Sequence, residues 1–250
     1  MSLLTALEGG VLTLTLNRPA KRNALDAATI GRLRAALGQA ELDAMVRVIA
    51  LRGAGKDFSA GADLTELLAS VEQTPEANEK AALELGEVFI AMRELPKPVV
   101  AIVHGRALAG AAGLATACDI VLAAEGAQFG YPEIQRGFVP AMVMTMLRRQ
   151  VGERRAFDLV ATGRLLSARE AFEAGLVSRV IPDADLEAHA RDTLSQLAGI
   201  SVSALGLTKK LFYELDDLSF RDGINLGARV NALARTHPDF RAAITAFLSR

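Results

Sequence analysis

Cysteine is almost missing from this chain. Of 250 residues only Cys118 carries a thiol, which excludes an internal disulfide framework and any cysteine-rich metal cage. A reducing compartment fits that usage. Histidine is equally sparse: His104, His189 and His237 stand too far apart in the chain to suggest a metal motif. Neither sign of charge dominates. The 28 Lys plus Arg against 29 Asp plus Glu leave a net charge of -1, without the basic footprint of a nucleic-acid partner. No apolar run approaches the roughly 18 residues of a membrane span. Met1 to Thr5 lack the basic and apolar stretches of a secretory leader, so the expected location is the cytoplasm. What remains is 51% apolar and 23% charged. A chain of this length buries roughly 70–75% of its unfolded surface, enough for a full core, as one large domain or one domain with an appendage.

Leu12, Leu14 and Leu16 alternate with threonines, the period of a strand with one buried face. Asp26 suits the N-cap of a helix carrying Ile30, Leu33 and Leu37. Val46 to Leu51 reads as a second strand, and Glu72 to Lys80, polar and containing Pro75, as an exposed connection. Leu85, Val88, Phe89 and Met92 mark an amphipathic helix, Val99 to Val103 a strand covered on both faces, and Ile120 to Ala123 another. Strands and helices alternate to about Val180, and only helical patterns follow Asp183. The expectation is an α/β core over 1–182 and a helical region over 183–250.

Several nucleotide and hydrolase motifs fail. Gly53-Ala54-Gly55-Lys56 has Ala50 where a phosphate loop needs its first glycine, and Asp57 where it needs Ser or Thr. Gly105 to Gly113 lacks the dinucleotide spacing, and Asp57 stands where a nucleophile elbow around Ser59 needs glycine. Two Gly/Ala segments nevertheless each follow a strand: Phe58 to Leu64, and His104 to Gly113. Small residues there let a backbone approach a ligand, and the second segment opens a helix whose first N–H groups are free donors. Two such loops side by side offer two donors to one oxyanion. Tight helix–strand packing explains the same composition, and composition alone does not choose.

The ordered strings are more specific. Leu16-Asn17-Arg18-Pro19 with Asn23-Ala24-Leu25, then Ser59 to Leu64, Pro96 to Ala101 with Gly105, Ala117 to Ile120, Phe129 to Glu133, and Gly175-Leu176-Val177 follow one another along nearly the whole chain. In this order and spacing they closely resemble the enoyl-CoA hydratase/isomerase, or crotonase, superfamily. The resemblance implies a spiral of ββα units with a C-terminal helical region used in trimer assembly. It also implies a trimer or dimer of trimers, and an acyl-CoA thioester as substrate. Coenzyme A is then carried by the substrate, and no separate cofactor, metal, nucleic acid or membrane is expected.

The site residues the resemblance implies are the backbone N–H groups of Ala62 and Gly110 as oxyanion donors and Glu133 as the proton-transferring acid. Hydratases of the family use two glutamates, and the first falls on Gly113 here. That departure leaves water addition to a 2-enoyl-CoA as one expectation, supported by an Arg136 to Ala141 run similar to branched-chain hydratases. Isomerisation of a 3-enoyl to a 2-enoyl thioester by Glu133 alone is the second, and a non-catalytic acyl-CoA-binding homologue the third. Glu133 after Pro132 also has a purely structural explanation as a helix start. Tyr131, Ile134, Phe138 and Met142 are expected to wall off its carboxylate. Segments holding Lys21, Arg22 and Ala24, and Ala60, Ala62, Asp63 and Leu64, are implied to line the coenzyme A nucleotide, with Phe247 and Arg250 reaching it across a subunit boundary. Asp119 is expected to pair structurally, and Cys118 to be a buried small apolar residue.

Overall fold

The computed structural model describes residues 1–249. Strands β1 (Leu3–Glu8) and β2 (Val11–Leu16) form an antiparallel hairpin around Gly9 and Gly10. Helix α1 (Ala27–Leu42) starts on Asp26, whose Oδ1 accepts from the Thr29 N–H at 2.8 Å. Strand β3 (Val48–Gly53) follows, then α2 (Leu64–Ala69) and α3 (Pro75–Glu94). The polar stretch expected as a connection from Glu72 to Lys80 is in fact mostly helix, since α3 begins at Pro75. Thr74 caps the Ala77 N–H at 3.3 Å and Pro75 takes the first helical position, where its missing N–H costs nothing. That turn is polar because it faces water.

Strand β4 (Val99–Val103) is buried along its whole length. After it come β5 (Arg106–Leu108), α4 (Gly110–Thr116), β6 (Ile120–Ala124) and β7 (Gln128–Gly130). A 3-10 turn over Pro132–Arg136 leads to α5 (Ala141–Val151) and α6 (Glu153–Thr162), then β8 (Leu165–Ser167), α7 (Ala168–Glu173) and β9 (Arg179–Ile181). The chain ends in α8 (Leu186–Gly199), α9 (Val202–Glu214), α10 (Phe220–Ala234) and α11 (Pro238–Leu248).

Two sheets result. The larger has the order β1-β2-β3-β4-β6-β9, parallel except for the first hairpin; the smaller has the order β5-β7-β8. Successive ββα passes wind between the two, so the architecture is the mixed α/β spiral with C-terminal helices. Helix α8 packs on β2, β3, β4 and β6, burying Leu186, Ala190 and Leu194. Helix α9 is pinned by one buried ion. Lys209 Nζ donates to the Met92 and Lys97 carbonyls at 2.7 and 2.9 Å and to Asp119 Oδ2 at 2.7 Å, while the Tyr213 hydroxyl donates to Asp119 Oδ1 at 2.7 Å. Asp119 therefore pairs structurally. Cys118 is buried, and burial pushes its thiol well up, so it stays protonated. Beyond α9 burial stops: α10 and α11 bury no side chain, and Phe220, Ile224, Phe247 and Leu248 stand in the open. Among the described residues no helix is long and apolar enough to cross a membrane.

Candidate active site

The small sheet fixes the site. Ser59 bridges Ala107 in parallel, with the Ser59 N–H donating to the Arg106 carbonyl at 2.9 Å and the Leu108 N–H to the Ser59 carbonyl at 3.1 Å. Strand β5 in turn pairs in parallel with β7, Ala107 opposite Phe129 and Leu108 opposite Gly130. Three segments thus run side by side in one direction and leave the sheet at the same edge. Three positions past the Ser59–Ala107–Phe129 row lie Ala62, Gly110 and Pro132, the last followed by Glu133. Carboxyl ends of parallel strands are where α/β folds place their ligands.

Neither Ala62 nor Gly110 donates its N–H to any acceptor among the described residues. Each follows a residue with positive φ: Gly61 at 93° and Ala109 at 54°. Those dihedrals turn the next peptide plane, and so aim the next N–H. Gly61 is irreplaceable on two counts. Its φ suits only glycine, and a Cβ there would lie 2.8 Å from both Ala109 Cβ and Leu108 O. That contact also shows how closely the two loops pack. Ala109 holds φ 54° and ψ -130° with a side chain, a strained conformation of the kind found where function demands it. Gly110 opens α4, so its N–H is one of the helix's unpaired donors.

Glu133 sits in the first turn of the 3-10 segment with 9% of its surface exposed, and its Oε2 is buried without a partner among the described residues. Burial raises its pKa above the ordinary carboxylate value, against the pull of its own N–H and of Arg136. Tyr131, fully buried, has its phenol pushed up by burial, and the nearby Glu133 charge adds to the shift. Met142 is partly buried against the core, whereas Ile134 and Phe138 are half exposed and shield the carboxylate less than expected.

Gly113 is closed to any side chain. A Cβ there would lie 2.3 Å from Val143 Cγ1 and 3.2 Å from Phe89 Cζ. Val143 on α5 therefore occupies the space a glutamate at this position would need. Three other carboxylates on the bordering segments are engaged elsewhere. Asp63 meets Arg18 at 2.8 Å and caps the Thr65 N–H at 3.0 Å, Glu66 accepts from the Ala27 N–H at 2.9 Å, and Glu84 pairs with Arg34 at 2.6 Å. Glu87 is exposed.

The implied nucleotide-binding residues fall into two groups. The Ala60 N–H donates to the Arg22 carbonyl at 2.9 Å and the Leu25 N–H to the Gly61 carbonyl at 2.8 Å. This pairing brings Lys21, Arg22 and Ala24 beside Ala60, Ala62, Asp63 and Leu64. Lys21, Arg22 and Leu64 are exposed, while the Asp63 carboxylate is turned inward to Arg18. Phe247 stands exposed on α11, and no hydrogen bond or ion pair among the described residues links that helix to the Lys21 segment. Arg250 lies outside the described residues. Neither Val143 beside Gly113 nor the Arg18–Asp63 pair is marked by any local sequence pattern, because each joins residues far apart in the chain. Among the described residues no group of three or more His, Cys, Asp or Glu could hold a metal.

The model of the family described as enoyl-CoA hydratase/isomerase matches residues 6–250. The chain belongs to the enoyl-CoA hydratase/isomerase family. A Thermus thermophilus protein provisionally named an enoyl-CoA hydratase is 42% identical over 243 residues, 97% of this chain and 96% of its own. The 1,2-epoxyphenylacetyl-CoA isomerase of Escherichia coli is 32% identical, covering 99% of this chain and 95% of its own. The crystal structure of an enoyl-CoA hydratase from Mycobacterium smegmatis superimposes with a TM-score of 0.96 at 33% identity, over 100% of this chain and 96% of that one. The protein is therefore an enoyl-CoA hydratase-like enzyme of the crotonase superfamily.

Proposed function

We propose that the enzyme adds water to a 2-enoyl-CoA thioester, with the thioester oxygen between the Ala62 and Gly110 N–H groups and Glu133 as the only proton carrier. The common edge at which their three segments leave the small sheet carries this reading. Water oxygen bonds to the β-carbon as Glu133 takes the water proton. The π electrons move onto the thioester oxygen as an enolate, and Glu133 returns the proton to the α-carbon. The carboxylate ends as it began. Preorganised donors in a dry site lower such a barrier by roughly 3–4 kcal/mol each. The raised pKa of Glu133 makes it a better base than a solvated carboxylate.

A second reading has a specific observation behind it. Val143 fills the space of the second family carboxylate, and one carboxylate suffices to move a proton from the α- to the γ-carbon of a 3-enoyl thioester. Absorbance separates the two: hydration of a 2-enoyl-CoA removes the conjugated thioester band, and isomerisation of a 3-enoyl-CoA creates it. Glu133→Gln abolishes either change while sparing thioester binding. A wild type inert on both substrates across chain lengths leaves only acyl-CoA binding. The paired segments at Lys21 to Ala24 and Ala60 to Leu64 hold the coenzyme A nucleotide in this reading. The uncovered apolar faces of α10 and α11 support a homo-oligomer, a trimer or a dimer of trimers.

A further inference from the structure

Arg18 has no part in the chemistry above, yet its side chain spans the two segments that hold Ala62. Nη2 donates to Asp63 Oδ2 at 2.8 Å, and Nη1 donates to the Ala24 carbonyl at 2.6 Å and faces Asp26 Oδ2 at 3.2 Å. Between these points the two segments share two backbone bonds: the Leu25 N–H to the Gly61 carbonyl at 2.8 Å, and the Asp63 N–H to the Leu25 carbonyl at 3.0 Å. Ala62 therefore sits opposite Leu25 with its own N–H turned to the other side. Further along, the Ala60 N–H donates to the Arg22 carbonyl at 2.9 Å, Ser59 Oγ to the Asn23 carbonyl at 2.7 Å and the Ala27 N–H to Glu66 Oε2 at 2.9 Å. The segments are thus joined on both sides, and among the described residues Arg18 is the one side chain that bonds across them at Ala62 itself. The guanidinium fastens both flanks, Ala24 and Asp26 on one segment and Asp63 on the other.

The clamp is itself held. The Arg18 N–H donates to Asn23 Oδ1 at 2.9 Å, and Asn23 Nδ2 donates to the Ala54 and Asp57 carbonyls at 2.8 and 2.7 Å. Asp26 is fixed as the cap of α1. The Arg18 and Asp63 side chains are 19% and 6% exposed, so water screens the pair little. A planar fork reaches a carbonyl and two carboxylates at once, which an ammonium on a flexible stem does not reproduce.

We infer that Arg18 is a positioning residue for the oxyanion donor at Ala62, holding the peptide after Gly61 in the orientation that aims its N–H at the substrate oxygen. The inference rests on the proposed role of Ala62 and adds a residue that touches no substrate.

The test compares wild type with Arg18→Met, Arg18→Lys and Asp63→Asn, using an acyl-CoA labelled with carbon-13 at the thioester carbonyl. In wild type the bound carbonyl stretch lies below that of the free thioester. In Arg18→Met, kcat falls about 10- to 100-fold with KM within about threefold, less than the loss of a whole donor. The stretch moves back toward the free value, and Arg18→Lys and Asp63→Asn fall between. A folded Arg18→Met with wild-type kcat and an unshifted stretch overturns the inference, whatever its melting temperature. If Arg18→Met does not fold, Asp63→Asn decides by the same two readouts. A wild type that shows no carbonyl shift removes the proposed role of Ala62 and this inference with it, a result distinct from a shifted wild type with an indifferent variant.

Discussion

Replacing Gly113 by alanine measures how firmly Val143 closes the place of the second family carboxylate. A methyl group at 113 would enter Val143 Cγ1 at 2.3 Å. Overpacking of this kind costs about 1–3 kcal/mol, and the gain of alanine over glycine inside α4 returns about 1 kcal/mol. Gly113→Ala is therefore expected to lose about 1 kcal/mol. Val143→Ala removes two buried methyl groups from a residue 4% exposed, costing about 2–3 kcal/mol with its cavity. In the double variant the new methyl enters the vacated space without a clash, so the total cost is about 1 kcal/mol. The singles sum to about 3–4 kcal/mol, so the coupling is about 2–3 kcal/mol and favourable. Urea denaturation of the four proteins at one protomer concentration provides the cycle. Additivity within 0.5 kcal/mol, the margin for independent sites, would refute the argument that Val143 occupies that position.

Ala109→Gly relieves a positive-φ residue. With strain of about 1–3 kcal/mol set against glycine's entropy, thermal denaturation should show stabilisation of about 1 kcal/mol, and a lowered melting temperature would contradict the strain. Glu133 has a raised folded pKa, so the folded state binds its proton more tightly than the unfolded chain. Its contribution to stability therefore falls as pH rises from the unfolded value, about 4.3, through the folded one. The slope is at most about 1.4 kcal/mol per pH unit. Glu133→Gln should become progressively more stable than wild type across that window, and equal pH profiles count against a buried carboxylate. The same protonation puts an acid limb on kcat/KM above the ordinary glutamate value of about 4.3, and a rate flat down to that value would exclude Glu133 as the base. Lys209→Met strands the Asp119 carboxylate and two carbonyls. It should cost about 3–5 kcal/mol, and Asp119→Asn in the same chain should recover part of it; chemical denaturation that finds Lys209→Met within 1 kcal/mol of wild type would mean α9 is not pinned there.

The central strands were legible in the sequence because burial dictates them. The unbroken apolar run of β4 and the alternation of β2 match what each face meets. Strand β3 begins two residues later than its apolar run suggests, since pairing with β2 and β4 sets its limits. Strand β1 escaped notice because, at the sheet's edge, it buries Leu3 alone and leaves Leu4 and Leu7 out, so no alternation marks it. Gly9-Gly10 was the available hairpin signal. At the site, glycine spacing and ordered motifs pointed to Ala62, Gly110 and Glu133. The sequence also exposed Gly113 as the place where a glutamate is missing, but not what stands there. Val143 lies thirty positions away and Asp63 forty-five from its Arg18. No local pattern records a contact across such distances.

The central claim is tested most directly by a crystal structure of Glu133→Gln with a bound 2-enoyl-CoA. The account predicts the thioester oxygen about 2.7–3.1 Å from both the Ala62 and the Gly110 nitrogens, with the residue 133 amide facing the α-carbon and no other carboxylate near the β-carbon. A carbonyl bound away from either nitrogen, or a second carboxylate beside the double bond, would contradict it.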